Sequence, residues 1–189
     1  MSWTIPGTVI RAPRKDAQYI DQTFSAMFLA GGITLGQVSG ITGLEPYAVQ
    51  NWVKRGFLTP PEKKRYTLRQ LCRIININML KSVLPMERIC SLLGYLNGQL
   101  DDESDDMIDD SALYFMFVRL AVRLRELNDA QERETLLEQT LADYTEPVPG
   151  AKERVKQVLR IMLTAWLAAR MRQEAERMLE ETLTTKKEM

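Results

Sequence analysis

The sequence predicts a mainly all-α protein. One small β element is expected in its N-terminal half, and a bundle of helices with a long last helix in its C-terminal half. Three observations carry this prediction. Apolar residues recur at helical spacing through most of the chain. Polar residues followed three positions later by Gln or Glu, as at Thr67/Gln70 and Asp129/Glu132, mark helix starts. Strand-like alternation is scarce outside residues 60–66.

The 189 residues suffice for one or two domains with a real core. The longest apolar candidate, Val158 to Met171, is interrupted by Arg160 and Arg170, so no run reaches the ~18 residues of a membrane span. No charged-then-apolar leader pattern opens the chain, and a cytoplasmic location without membrane association is the expectation. Cys72 and Cys90, the two cysteines, make no disulfide framework. Histidine is absent, which removes the commonest general base and the commonest metal ligand. No enzyme, cofactor or metal site is therefore expected. The overall charge is zero but divided: residues 1–99 hold 12 Lys/Arg and 5 Asp/Glu, and residues 100–189 hold 13 and 20. A basic half joined to an acidic half suggests that one half meets a polyanion.

Four segments follow in order. Residues 1–31 read as an arm, with Pro6, Gly7, Pro13 and the basic Arg11, Arg14 and Lys15, then a helix over Asp16–Ala30 capped by Asp16. Residues 32–98 hold a short helix, a tight turn, a second helix, a Pro60-Pro61 turn and two further helices. The third of these is started by Thr67, and the fourth by Pro85 at its first position. Residues 99–110 form an acidic linker and the expected domain boundary, because seven of the eleven residues from Leu100 to Asp110 are Asp or Glu. Residues 111–189 should give helices over Ser111–Asn128, Asp129–Tyr144 and Ala151–Leu183, a domain for dimerisation or effector binding.

The segment Thr34 to Leu58 carries the functional signal. Thr34 can cap a first helix bearing Leu35, Val38 and Ile41, and Gly43 stands where a left-handed turn residue is wanted. Pro46 opens a second helix whose inward stripe is Val49, Trp52 and Val53. Two helices joined by so short a turn cross steeply, as in a helix-turn-helix. Tyr47, Gln50, Asn51 and Lys54 then share the outward face. Gln and Asn side chains pair bidentately with adenine in the major groove, and Lys reaches guanine or phosphate. Beyond Arg55, a basic turn of Lys63, Lys64 and Arg65, followed by Tyr66, reads as a wing able to touch the phosphate backbone. Arg69 and Arg73, four apart on the next helix, extend that basic surface. Between Glu45 and Arg88, nine Lys/Arg stand against three Asp/Glu.

The series Ile33-Thr34-Leu35, Thr42-Gly43-Leu44, Trp52 to Leu58, Tyr66-Thr67, Leu71 and Ile74 resembles the DNA-binding domain of MerR-type regulators. Val83 to Leu93 looks like that family's fourth helix. The match covers about 65 residues. The whole chain is similar to a family of bacterial proteins known as DUF1836, which carries this domain near its N-terminus. The resemblance implies a MerR-like winged helix-turn-helix with a small β wing, and double-stranded DNA as the partner. It also implies dimerisation through a long helix beyond that domain.

The reading is a transcription regulator, a homodimer that reads the major groove with helix 46–55 and touches backbone with the basic wing 60–66. The alternative is a protein-interaction adaptor on the same scaffold, favoured by the low arginine content of helix 46–55. A small-molecule effector is a further expected partner, in a pocket lined by Tyr114, Phe115, Met116, Phe117, Met162 and Trp166. Such residues are more often plain core.

Overall fold

The structure is a computed structural model and describes residues 2–13, 17–29, 31–100, 102, 104–124 and 130–185. Among them are one two-stranded antiparallel sheet, β1 (Ser2–Thr4) with β2 (Arg11–Pro13), and eight helices. The helices are α1 (Ala17–Met27), α2 (Leu35–Thr42), α3 (Pro46–Lys54), α4 (Leu68–Leu80), α5 (Met86–Asn97), α6 (Asp110–Arg123), α7 (Ala130–Thr140) and α8 (Ala151–Thr185). The mainly helical class and the long last helix are as the sequence predicts. Arg14, Lys15, the Asp16 and Asp129 caps and the stretch to Asn128 lie outside the described residues.

Helix α4 is the hub. It packs against α2, α5, α6 and α8, and ten of its thirteen residues are buried. Its start follows from chemistry: the Thr67 side chain accepts the Gln70 N–H, and the Gln70 carbonyl oxygen accepts the Thr67 N–H. Leu71, Ile74, Ile75, Ile77 and Leu80 are buried on several sides at once, and each contributes roughly 1.5–3 kcal/mol of apolar burial.

Two expectations need correction. The residues before α1 are no loose arm. Pairing of Trp3 with Ala12 closes a hairpin, because Gly7 takes φ +72° at its tip and Pro6 presents its carbonyl to the Tyr114 hydroxyl at 3.0 Å. The Asn78 amide donates to the carbonyls of Gly7 and Thr42, both at 2.9 Å, which fastens the hairpin and the α2 end to α4. The acidic segment is no solvated spacer between two cores. Its second half lies against α4, and one continuous hydrophobic cluster runs from Ile5 to Leu167 through both halves of the chain. The aromatic and Met positions of α6 and α8 are packed, as the plain-core reading of them expects. Tyr114, Phe117 and Met162 are fully buried, and Phe117 meets Trp166 edge-on at 5.9 Å.

The first half of α8 buries Val155, Val158, Leu159, Met162 and Leu163. From Met171 to Thr184 every side chain is exposed, a projection of about 20 Å at ~1.5 Å per residue. No helix among the described residues is long and apolar enough to cross a membrane.

At Gly7 an added Cβ would sit 2.6 Å from the Ile75 carbonyl oxygen, in a backbone conformation that side chains resist. Gly7→Ala should therefore cost about 2–4 kcal/mol of unfolding free energy. Gly31→Ala, also at positive φ but in open space, should cost only about 1 kcal/mol. Urea midpoints at unchanged m-value measure both.

Candidate nucleic-acid interface

Helix α2 starts on Thr34, whose side chain accepts the Gln37 N–H while the Gln37 side chain accepts the Thr34 N–H. It ends at Gly43, which adopts φ +71° and donates its N–H to the Ser39 carbonyl at 2.8 Å. Leu44 plugs the turn, and Pro46 opens α3 at a position that needs no N–H. Val49 and Trp52 are buried beneath α3. Val9 N–H donates to the Ile41 carbonyl at 2.9 Å, so the N-terminal hairpin props the far side of α2.

That packing decides what α3 offers to solvent. Tyr47 is 72% exposed, and Gln50, Asn51 and Lys54 are exposed beside it. These four side chains sit together on one face, as their spacing predicts. Arg55, at the helix end, lies 4.5 Å over the Phe57 ring and donates to Glu87 at 2.9 Å. A hydrogen bond from its own backbone N–H, and then the Arg55 contact, hold the Glu87 carboxyl below the usual carboxylate range.

Lys63, Lys64 and Arg65 also stand exposed, at the tip of a hairpin closed by the Glu62–Arg65 bridge. Arg65 N–H donates to the Glu62 carbonyl at 2.7 Å, and the two lysines between them hold φ +46° and +63°. Two successive left-handed residues are the signature of a tight hairpin turn that Asn-Gly fills most easily. The hairpin base is fixed twice. Ile33 and Tyr66 exchange backbone hydrogen bonds at 2.8 and 3.0 Å. The Gln70 amide donates to the carbonyls of Thr59 and Pro60 and to the Thr59 hydroxyl. Arg65 reaches back to the Gly32 carbonyl at 3.0 Å. Between tip and α3 runs a groove of about 630 Å3, walled by Thr34, Leu35, Gln50, Val53, Lys64 and Tyr66.

Of the residues expected on this surface, two are placed elsewhere and a third is buried within it. Tyr66 is 3% exposed and lines the groove. Arg73 is 4% exposed: its Nε donates to the Phe57 carbonyl at 3.0 Å and its Nη1 to Asp110 Oδ2 at 3.2 Å. Arg69 is turned onto Asp106 Oδ2 at 2.6 Å, with Asp109 at 3.7 Å. A guanidinium inside a protein must find a carboxylate, and the acidic segment supplies it. The sequence reading missed Glu87, Asp106 and Asp110 as partners. The available signal was two arginines inside a helix whose other residues are mostly apolar.

The arrangement is that of a mainly helical protein offering one polar helix face and one basic hairpin tip to solvent. The chain belongs to the family described as "Domain of unknown function (DUF1836)", which matches residues 15–117, from before α1 into α6. It is 24% identical over 163 residues to "Uncharacterized protein YkrK" of Bacillus subtilis (strain 168), covering 80% of this chain and 70% of that protein. No solved structure matches.

Lysine in a left-handed conformation stores strain of about 1 kcal/mol. Lys64→Gly should therefore raise unfolding stability by about 1 kcal/mol while leaving the fold unchanged. Thermal unfolding of Lys64→Gly beside Lys64→Ala, which keeps the strain, separates backbone relief from charge removal.

Proposed function

We propose that the chain is a DNA-binding transcription regulator. In this reading α2, α3 and the 59–66 hairpin form a MerR-like winged helix-turn-helix. One observation carries it: Tyr47, Gln50, Asn51 and Lys54 stand exposed on one face of α3, beside the exposed Lys63, Lys64 and Arg65. A helix of that size enters the major groove, where amide side chains discriminate adenine. The cationic tip lies against the flanking phosphates, where each neutralised charge adds a salt-sensitive term. The strained lysine turn supports the reading, because strain kept at an exposed site points to a use there.

Fluorescence anisotropy on duplex DNA against salt tests the proposal. Affinity should fall steeply with salt, and replacing Lys63, Lys64 and Arg65 by Ala should make the log–log slope shallower by about 2–3. Gln50→Ala and Asn51→Ala should each cost about 1–3 kcal/mol of discrimination on a selected site, with the salt slope unchanged. A chain that binds duplex DNA with no salt slope, or not at all, is an adaptor instead.

The regulator acts as a homodimer, and α8 is the element that joins its two copies. Met171, Met178, Leu179 and Leu183 are all more than half exposed on the projecting part. Its local ion pairs, Arg177 with Glu174 and Glu181 and Arg172 with Glu176, are all solvent-exposed and supply little. That is too little to hold an isolated helical end in water. Light scattering should give twice the 21.7 kDa chain mass. The double variant Met178→Glu/Leu179→Glu should give the single mass with an unchanged melting curve for the body. A monomeric parent would remove the dimer from the reading.

A further inference from the structure

The outer side of α8 carries a pattern that its buried side does not explain. Between Arg160 and Arg170 the helix is held in the body, and the exposed positions there are Ile161, Thr164 and Ala168. All three are uncharged, although the water-facing positions of a helix normally carry charge. The same line continues along the projecting part through Met171, Ala175, Met178 and Thr182, again exposed and uncharged. Its steps alternate between three and four residues throughout, which is the 3.5-residue period of paired helices. Eight charged residues stand from Arg160 to Glu181, and none of them falls on this line. The two threonines keep it apolar. Thr164 Oγ1 donates to the Arg160 carbonyl and Thr182 Oγ1 to the Met178 carbonyl, both at 2.8 Å, so each hydroxyl is satisfied within its own helix.

We infer that this line is the seam for a second copy laid antiparallel, with the projecting half of each α8 covering the body-held half of the other. The inference rests on the homodimer reading of α8 and is independent of DNA binding. Three features choose the occupant and its direction. The two halves match in length: Ile161 to Ala168 and Met171 to Met178 each span eight residues. A two-fold pair needs such self-complementarity, in which residue i meets j and j meets i. Side-chain size agrees. Turned about a point between Ala168 and Met171, the seam sets Ala168 against the second copy's Met171, Thr164 against its Ala175 and Ile161 against its Met178. Parallel pairing would set alanine on alanine and methionine on methionine in successive layers, alternating gaps with crowding. Support agrees as well. The projecting half is marginal as a lone helix. Antiparallel pairing lays it on a stretch whose other side, with Val158, Leu159 and Met162, is already locked in the core.

The experiment uses the full chain carrying Cys90→Ser, which leaves the buried Cys72 as the remaining native thiol. Ile161→Cys and Met178→Cys are made singly, mixed, equilibrated under reduction and oxidised, and the linked product is identified by mass. The expected product joins an Ile161→Cys chain to a Met178→Cys chain, and the self-linked products are lost. The two Ile161 positions of an antiparallel pair stand about 26 Å apart, far beyond the ~7 Å that a disulfide bridges. Ala168→Glu places a charge in the seam on the body itself, and should raise the dimer dissociation constant by about tenfold or more. Gln173→Glu, exposed on the hairpin side of the same helix, should change it by less than about twofold. Light scattering across a concentration series reads both, with melting curves of the body unchanged.

Self-linked Ile161→Cys and self-linked Met178→Cys without the mixed product overturn the inference and leave the homodimer on α8. A parent of single mass overturns both. A dimer that neither cysteine links and that Ala168→Glu does not weaken is joined through another face, which overturns the inference together with the joint on α8.

Discussion

A guanidinium taken out of water has to be met by a carboxylate and by further acceptors, or its burial costs several kcal/mol. Arg73 is the group on which that demand falls. Its two ends connect Phe57, three residues past α3, to Asp110, the first residue of α6. That link ties the exit of α3 to the start of α6. It holds the exit of α3 against α4 and draws the acidic segment in from solvent. It also aligns α6 so that Tyr114 reaches Pro6 and closes the N-terminal hairpin onto the same core. Replacing such an ion pair by apolar groups is often neutral in stability. The pair is better understood as a register pin, which fixes how the half with the polar helix face sits on the half that supports it.

Local rules then set the fine geometry of the exposed face. Reciprocal capping at Thr34/Gln37 and Thr67/Gln70 fixes where α2 and α4 begin. Gly43 reverses the chain in one residue, and Trp52 anchors α3 from below. Gln70 serves twice, since its carbonyl oxygen caps α4 while its amide holds Thr59 and Pro60. One side chain thereby sets both the start of the hub helix and the base of the basic hairpin. The hairpin base is thus held by short-range bonds to α4 and to the residues before α2, even though the turn at its tip is strained.

What the sequence made legible follows from the range of the forces involved. The caps at Thr34 and Thr67, the turn at Gly43, the start at Pro46 and the buried Val49 and Trp52 are local matters, and residue type with spacing reveals them. The hairpin at residues 2–13 was hidden because three-residue strands are too short for a period, and only its packing on Ile75 and Tyr114 stabilises it. Arg69 and Arg73 were misplaced for a different reason. A pair of arginines four apart usually marks a solvated face, and an acidic run usually marks a spacer. Both habits fail when the two runs satisfy one another across about forty residues of sequence, which no local window registers. The family match spans both partners, because it reaches residue 117. The acidic segment is thus part of the same unit as the helices it faces.

The mutual neutralisation changes how the charge of the N-terminal half should be read. Of the nine cations between Glu45 and Arg88, Arg69 and Arg73 answer the acidic segment, Arg55 answers Glu87, and Lys81 lies 5.9 Å over the Trp52 ring. Arg88 stands exposed on α5, and Lys54, Lys63, Lys64 and Arg65 remain beside the polar face of α3. Four phosphate contacts per copy give only modest non-specific affinity at physiological salt. On the proposed reading, such a regulator would depend on base contacts by Gln50 and Asn51, and on two copies acting together. Pairing would supply the missing affinity through effective concentration without new cations. The exposed end of α8 and the sparing charge of α3 would then belong to one design, in which weak single-copy attraction makes binding depend on assembly.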